Sequence, residues 1–151
     1  MRFLPQAVSA SLAIFTMGRA NAGDPPQSQT FAEYCAVGGA NLTDQHWLGL
    51  YCRNHMVEIF GYNWTWIDLD FCVGNNGGQL ATMDNGNYST SCNNCNATHD
   101  FEKKTLFLSC ACPNDAQDYI MSSLDLNTTL YEIDGAAGCF NHMGNETWRG
   151  P

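Results

Sequence analysis

Alternating apolar and polar residues mark four short segments of the chain. Residues of one face recur at every second position in these segments, which are 48–52, 65–69, 106–112 and 122–126. Leucine, isoleucine and cysteine are the main residues of that face. In two of the segments its first residue is polar, namely Thr65 and Ser122. This period is typical of half-buried β-strands, and the polar, glycine-containing stretches 74–78 and 132–135 indicate turns. Since no segment sustains an apolar period of 3.6 residues, the pattern predicts a mostly β fold with short helical turns.

The same elements occur twice. Residues 31–35 align with 88–92 at an offset of 57, and each segment begins with an aromatic residue and ends with a cysteine. The other matched anchors are 67–70 with 124–127, Gly78 with Gly135 and, after a slip of one residue, 48–52 with 106–110. Four anchors in one order predict a tandem duplication, with repeats of about 31–82 and 88–140.

The first 22 residues have the pattern of a secretory signal peptide. Arg2 precedes a run rich in small and apolar residues over 7–17, and Ala20 and Ala22 occupy the positions that a signal peptidase reads. A buried first helix is the alternative, but the 23–26 stretch with its two prolines would end it. No later stretch approaches the roughly 18 apolar residues that a membrane span needs. We therefore expect a secreted, extracellular chain.

The rest of the chain is expected to form one domain over 30–141. About 129 residues follow the signal peptide, which is enough for one core but not for two. The polar 23–29 stretch and the 142–151 stretch, which has no strand pattern, are predicted to be flexible tails.

The charge of the exported chain excludes several partners. Removal of Arg2 and Arg19 leaves four basic residues against 15 acidic ones, a net charge of about −11. Nucleic acids and anionic membrane surfaces are held by clusters of Lys and Arg, so neither is an expected partner.

Eight cysteines predict a framework of four disulfides, because an oxidising compartment lets such bonds persist. They are Cys35, Cys52, Cys72, Cys92, Cys95, Cys110, Cys112 and Cys139. Eight cysteines allow 105 complete pairings, so the sequence alone does not choose one. The spacings 92–95 and 110–112 resemble those of zinc ligands, but export and the short second spacing disfavour a metal site.

Six Asn-x-Ser/Thr sequons indicate surface N-glycosylation in an exported chain. They begin at Asn41, Asn63, Asn87, Asn96, Asn127 and Asn145.

No catalytic motif is present. None of the four histidines, His46, His55, His99 and His142, lies in a metal-ligand or nucleophile motif. Two carboxylates of this kind occur in glycosidases, but Asp68 and Asp125 occupy equivalent positions in the two repeats. A symmetric structural role, in which each carboxylate accepts nearby backbone N–H groups, is the simpler interpretation. We expect no enzyme activity and no cofactor.

The repeat resembles the cyanovirin-N homology family. The resemblance is carried by the aromatic-x-x-x-Cys openings 31–35 and 88–92, by the (Ile/Leu)-Asp-Leu-(Asp/Asn) segments with their glycine turns, and above all by the string 122–127. It implies a pseudo-symmetric, elongated β structure whose repeats exchange strands, each half holding a three-stranded sheet and a hairpin. It also implies a lectin that binds mannose-type oligosaccharides, without metal, at one or both of two shallow clefts. The 54–64 connection, Ala136, Ala137 and four extra cysteines depart from the family pattern.

The resemblance also implies disulfide pairs. Cys35–Cys52 and Cys92–Cys110 are equivalent in the two repeats and match the family's bridges. For the remaining cysteines, we expect Cys95–Cys112 and Cys72–Cys139.

Aligning the family's sites with this chain gives two candidate clefts. The first cleft comprises Thr30, Glu33, Tyr34, Arg53, His55, Glu132 and Asp134. The second cleft comprises Asn75, Asn76, Gly77, Asn87, Thr90, Ser91 and Asn114. A glycan on the sequon residue Asn87 would cover the second cleft, so the first is the favoured site. The alternative for all of these residues is ordinary polar turn surface.

The tryptophans are expected to pack rather than to hold sugar. Trp64 and Trp66 share a face opposite Ile67, and Trp47 and Trp148 complete the set. The sequence thus predicts a secreted, non-catalytic lectin for mannose-rich glycans, either a monomer or a strand-swapped dimer. The alternative is a secreted structural or protein-interaction module that keeps the fold without sugar affinity.

Overall fold

The computed structural model describes residues 31–54, 61–147 and 150. The predicted signal peptide over 1–22, the 23–29 tail and the site residues Thr30 and His55 lie outside the described residues, as does Trp148.

Strands make up most of the described chain. The elements of the first half are α1 (Phe31–Tyr34), β1 (Asn41–Thr43), β2 (Trp47–Arg53), β3 (Tyr62–Asp68), β4 (Val73–Asn76) and β5 (Gln79–Thr82). Those of the second half are β6 (Asn93–Asp100), β7 (Thr105–Pro113), β8 (Tyr119–Asp125), β9 (Tyr131–Ile133), β10 (Ala136–Cys139), β11 (His142–Met143) and β12 (Asn145–Thr147). Short 3₁₀ turns cover Val37–Gly39, Leu69–Phe71, Tyr88–Thr90 and Leu126–Thr128.

Each half contains an antiparallel three-stranded sheet followed by a hairpin. Strands β1, β2 and β3 pair in chain order, as do β6, β7 and β8, and the hairpins are β4–β5 and β9–β10. The predicted fold class is therefore confirmed. It is mostly β and pseudo-symmetric, with triple-stranded sheets, hairpins and short helical turns.

The junction between strand and turn has the same capping hydrogen bond in both halves. Asp68 Oδ1 accepts the backbone N–H of Asp70 at 3.0 Å, and Asp125 Oδ1 accepts that of Asn127 at 2.9 Å. Each carboxylate thereby caps the 3₁₀ turn that follows its strand. The predicted structural role of the two aspartates is confirmed.

Each hairpin packs against the three-stranded sheet of the other half. Strand β5 contacts β8, and β10 contacts β3. The strand exchange implied by the resemblance is thus present, because the hairpin of each half packs on the sheet of the other half.

One hydrophobic core passes through both halves. Its large side chains with little or no exposure are Phe31, Leu48, Leu50, Ile67 and Leu69 from the first half and Tyr88, Leu106, Leu108 and Leu126 from the second. Phe31 and Tyr88 are 57 residues apart and both fully buried. The Tyr88 hydroxyl donates to the carbonyl oxygen of Gln45 at 2.6 Å. Burial, reinforced by the nearby carboxylates of Asp70 and Asp68, raises the pKa of Tyr88 well above its usual range.

All eight cysteines form disulfides. The predicted bonds Cys35–Cys52 and Cys72–Cys139 are present, and the second joins the two halves.

The predicted pairing of the other four cysteines is wrong. The structure has Cys92–Cys112 and Cys95–Cys110, with Cα–Cα distances of 4.2 Å in both. Strands β6 and β7 are antiparallel, so the cysteine nearer the start of β6 must face the one nearer the end of β7. A register shift between Asn93 and Asn96 brings both pairs opposite one another despite their unequal spacing.

The expectation of a C-terminal tail over 142–151 is also wrong for residues 142–147. Strand β11 pairs with β10, and β12 pairs with β3 as the fourth strand of the first sheet. These strands are short, and β12 is exposed throughout, so they lack the alternation that marks a half-buried strand. Within the described ranges, no helix has the length and apolar character needed to cross a membrane.

Candidate functional site

The described residues predicted for the first cleft come from three segments that meet in the structure. The Cys35–Cys52 disulfide joins the end of α1 to the end of β2, and the N–H of Ala36 donates to the carbonyl oxygen of Tyr51 at 2.7 Å. The β9–β10 turn lies against the same place, since a Cβ added to Gly135 would be 3.0 Å from Cβ of Asn54. Predicted residues from all three segments are thereby assembled.

The exposed side chains of the first cleft carry both signs of charge. Glu33 on α1, Arg53 at the end of β2 and Asp134 in the β9–β10 turn are exposed, and Tyr34 is half-buried. The carboxylates accept hydrogen bonds and the guanidinium donates them, so together they suit a ligand with hydroxyl groups.

Glu132 supports the turn of the first cleft from inside. It is 5% exposed, and its Oε1 accepts the backbone N–H of Gly135 at 2.6 Å. Gly135 has φ +94 and Asp134 has φ 51, so the turn depends on left-handed backbone at both positions. Glu132 is thus engaged with the backbone, and the exposed carboxylate at this turn is that of Asp134.

Asn63 is a first-cleft residue that sequence reasoning missed. Its Nδ2 would be 3.1 Å from a Cβ on Gly135, and it donates to Oε2 of Glu146 at 2.6 Å. The signal was available, because extending the alternation of Thr65 and Ile67 by one step toward the N-terminus puts Asn63 on the same face.

The second cleft is held together by Asn75. Its Oδ1 accepts the N–H of Gly78 at 2.8 Å, and its Nδ2 donates to the carbonyl oxygen of Pro113 at 3.0 Å and to Ser91 Oγ at 3.4 Å. A Cβ on Gly78 would be 3.1 Å from Cβ of Asn114. The β4–β5 turn, the end of β7 and the segment before Cys92 are therefore in contact.

The outer residues of the second cleft also use polar groups internally. The Asn87 Nδ2 donates to the carbonyl oxygen of Asn85 at 2.8 Å, and the Thr90 hydroxyl donates to the carbonyl oxygen of Asn87 at 2.8 Å. Asn76 and Gly77 are exposed, and Asp115, not predicted here, lies beside Gly77.

The two clefts share one backbone device but differ in chemistry. Asn75 and Glu132 are 57 residues apart, and each accepts the N–H of a left-handed glycine three residues further on. Asn75 also donates through its amide, which the carboxylate of Glu132 cannot do. The residues predicted for the first cleft are therefore mainly ionic, and those predicted for the second are amides and hydroxyls, with the carboxylate of Asp115 nearby.

One group of possible metal ligands occurs among the described residues. His46, Asp68 and Asp70 offer atoms within 4.8 Å of one another. The imidazole Nδ1 of His46 is 2.8 Å from Asp68 Oδ1, and both oxygens of Asp70 accept hydrogen bonds from Ser89. The group links β3 and its following turn to the start of the second half, and Asp68 Oδ1 and both oxygens of Asp70 already accept hydrogen bonds.

Comparisons with known proteins agree with this architecture. The model of the CVNH domain matches residues 31–138. None of the curated protein sequences compared with the chain matches it.

Three solved structures illustrate the likeness. GzCVNH from Gibberella zeae is 21% identical, covers 74% of this chain and 97% of its own, and has a TM-score of 0.63. Microvirin, solved as a mannobiose complex, is 19% identical over 73% of this chain and 97% of its own, with a TM-score of 0.59. A MoCVNH3 variant, solved in complex with (N-GlcNAc)4, is 14% identical over 72% and 95%, also with a TM-score of 0.59.

At these identities, the likeness to solved structures establishes the fold. The family model independently covers residues 31–138, which include nearly all of both predicted repeats. The chain therefore belongs to the CVNH, or cyanovirin-N homology, family.

Proposed function

We propose that the protein is a secreted, non-catalytic lectin that binds mannose-rich oligosaccharides through the first cleft. Membership of the family and the mannobiose complex of microvirin support a mannose-type ligand. The (N-GlcNAc)4 complex of the MoCVNH3 variant indicates that the sugar differs among proteins of this fold.

The observation that carries the proposal is that the three segments bearing Glu33, Arg53 and Asp134 lie against one another. The Cys35–Cys52 bond and the Glu132–Gly135 hydrogen bond hold the segments that bear them. A pyranose presents neighbouring hydroxyls that both donate and accept. Since a hydrogen bond to a charged group contributes about 1.5–3 kcal/mol net, a few such bonds suffice for a shallow site.

The second cleft is the weaker candidate. Its central side chain, Asn75, already uses both its amide oxygen and its amide nitrogen in hydrogen bonds within the protein. The sequon residue Asn87 is exposed. A sequon residue also borders the first cleft, but Asn63 is half-buried and donates its amide nitrogen to Glu146. Asn87 is the more exposed of the two residues, so the second cleft is the one that a glycan would more readily cover.

Export is supported by the chain's oxidised chemistry. Four disulfides persist in an oxidising compartment, and the signal-peptide pattern over 1–22 precedes them. Six sequons are consistent with the same route.

Isothermal titration with a branched mannose oligosaccharide tests the proposal. Arg53→Ala and Asp134→Ala should each weaken binding about 10- to 100-fold through loss of a charge-assisted hydrogen bond. Asn76→Ala is the matched control in the second cleft and should leave the affinity unchanged.

The possible failures are distinguishable. If both first-cleft variants bind as tightly as the wild type, the site is wrong although the function is right. Binding of (N-GlcNAc)4 in place of the mannose oligosaccharide would keep the lectin function but show that the proposed ligand is wrong. If no glycan binds at high protein concentration, the protein-interaction alternative replaces the lectin.

A further inference from the structure

A row of four residues crosses the outer face of the first sheet, and the residue at each end of the row is the asparagine of a sequon. Asn41 of β1 lies opposite Gly49 of β2, Gly49 opposite Trp66 of β3, and Trp66 opposite Asn145 of β12. Directly opposite residues of an antiparallel sheet project to the same face, with Cβ atoms about 4.5–5.5 Å apart. The amide of Asn145 therefore begins beside the Trp66 ring.

Gly49 makes room for the tryptophans of this face. A Cβ at Gly49 would lie 2.6 Å from ring atoms of both Trp64 and Trp66, so only glycine lets the two rings lie over the strand. These rings pack edge to face, with centroids 5.5 Å apart.

The two rings differ in how well protein atoms cover them. Trp64 packs against Tyr51 and Gly150 and is only 5% exposed. Trp66 stays half-buried, as does Trp47 two residues before Gly49 on the same face.

An open groove of about 380 Å³ lies over the two half-buried tryptophans. Its walls are Thr43, Asp44, Trp47, Trp66, Asn145 and Thr147. A second cavity of about 220 Å³ shares Trp47, Trp66 and Asn145 and extends along the same face. Both the acceptor residue and the hydroxyl residue of the Asn145 sequon thus line an aromatic groove.

We propose that an N-linked glycan on Asn145 folds back into this groove and that its first N-acetylglucosamine stacks on Trp66. The amide nitrogen of Asn145 bonds to C1 of the sugar supplied by a lipid-linked oligosaccharide, the lipid diphosphate leaves C1, and the nitrogen loses one proton. The apolar C–H face of a pyranose matches an indole face. The inference rests on the secretory route proposed above.

Covalent attachment favours the Asn145-linked glycan over a free sugar as the ligand of this groove. A tethered group is present at a local concentration of about millimolar or more, so even weak stacking keeps it in place. The sugar's hydroxyls and acetamide then meet Thr43 and Asp44 at the rim.

The chain contains a matched control sequon. Asn96 lies on β6, at the edge of the second sheet, and is also exposed. Its cross-strand row continues through Ser109 to Ser123, which offers hydroxyls. The half-buried ring of Phe107 lies one row away, whereas Trp66 lies directly opposite Asn145. A sugar on Asn96 should therefore behave as a freely moving surface glycan.

Nuclear magnetic resonance of the full chain secreted from a eukaryotic host tests the inference, with the glycans trimmed to one sugar. The Asn145-linked sugar should show upfield ring-current shifts and nuclear Overhauser contacts to the Trp66 indole, and the Asn96-linked sugar should show neither. Trp66→Leu should abolish the shifts at Asn145. Asn96→Gln should leave them intact, which controls for general effects of removing a glycan.

Three results would overturn the inference. They are an unmodified Asn145 in the secreted protein, an Asn145 sugar whose shifts match those of the Asn96 sugar, and shifts that survive Trp66→Leu. If the chain is not exported at all, the secretory route fails as well. If it is exported with a mobile Asn145 sugar, the inference alone fails and the mannose titration still stands.

Discussion

The backbone N–H of Leu80 donates to Ser122 Oγ at 2.8 Å, which ties the hairpin of the first half to the sheet of the second. The bond from the N–H of Ala137 to Thr65 Oγ1, at 3.3 Å, is its counterpart with the halves exchanged. Donor and acceptor are each displaced by 57 residues, which is the sequence offset. Ser122 and Thr65 are both buried, at 5% and 0% exposure, so each half contributes one buried hydroxyl that binds the other half's hairpin.

Ser122→Ala should destabilise the fold by about 1–3 kcal/mol, because it leaves the buried N–H of Leu80 unpaired. Ser123→Ala is the matched control. Its hydroxyl bonds Ser109 at the surface, and its removal should change the free energy of unfolding by less than about 0.5 kcal/mol. Urea unfolding of both variants decides this, and equal effects would mean that the cross-half bond contributes nothing.

The Cys72–Cys139 bond should be the most stabilising of the four disulfides. It closes a segment of 67 residues, whereas Cys35–Cys52 closes one of 17. On the chain-entropy model these correspond to about 4 and 3 kcal/mol. Thermal unfolding of the Cys72→Ala/Cys139→Ala and Cys35→Ala/Cys52→Ala double variants compares them, and a larger loss from the second pair would contradict the expectation.

Gly135→Ala should lower stability by about 1–3 kcal/mol and weaken sugar binding, since φ +94 is a strained conformation for alanine. The added Cβ would also press on Asn54 and Asn63. Gly39→Ala meets no atom within 4 Å, has no positive φ and serves as the control, with an expected change near zero. Denaturation and titration of the same preparations separate the two effects, and a Gly135→Ala protein of wild-type stability would refute the role of this turn.

The free energy of unfolding should fall as the pH rises above about 10, the ordinary pKa of tyrosine. Burial raises the pKa of Tyr88, so the folded protein keeps that proton where the unfolded chain releases it. Burial raises the pKa of Tyr131 as well, in the same direction.

Tyr88→Phe tests this origin of the pH dependence. Phe31 fills the equivalent place in the first half, so phenylalanine suits the site. The variant should lose part of the alkaline decline in a comparison of urea unfolding at neutral and alkaline pH. If the stability of the variant falls as much as that of the wild type, the alkaline decline arises from titratable groups other than Tyr88.

Most of the fold could be predicted because its signals are local or repeated. The alternation in 48–52 and 106–112 reports a buried face, and the offset of 57 implies two equivalent units. Strand β12 was missed because it is a three-residue exposed edge strand, stabilised by the backbone of β3 rather than by apolar side chains.

The disulfides of the second half could not be predicted by analogy. The sequence alignment set Cys110 against Cys52, but in the sheets Leu48 faces Ile67 and Leu108 faces Leu124, so Cys112 is the counterpart of Cys52. Cys95–Cys110 is the additional bond, and the register shift between Asn93 and Asn96 decides which cysteines meet. Such a shift depends on strand pairing, which spacing along the chain does not report. Asn63 differs, because the strand alternation already places it on the face of Thr65 and Ile67, and only its contact with Gly135, which is distant in sequence, could not be predicted.

The central claim, that sugar binds at the turn supported by Glu132, is tested most directly by recording backbone amide resonances while a branched mannose oligosaccharide is added. The account predicts that the amides of Asp134, Gly135 and Arg53 shift and saturate together, while those of Asn76 and Gly78 stay in place. Saturable shifts at Asn76 and Gly78 with an unmoved first cleft, or no shift anywhere, would contradict it.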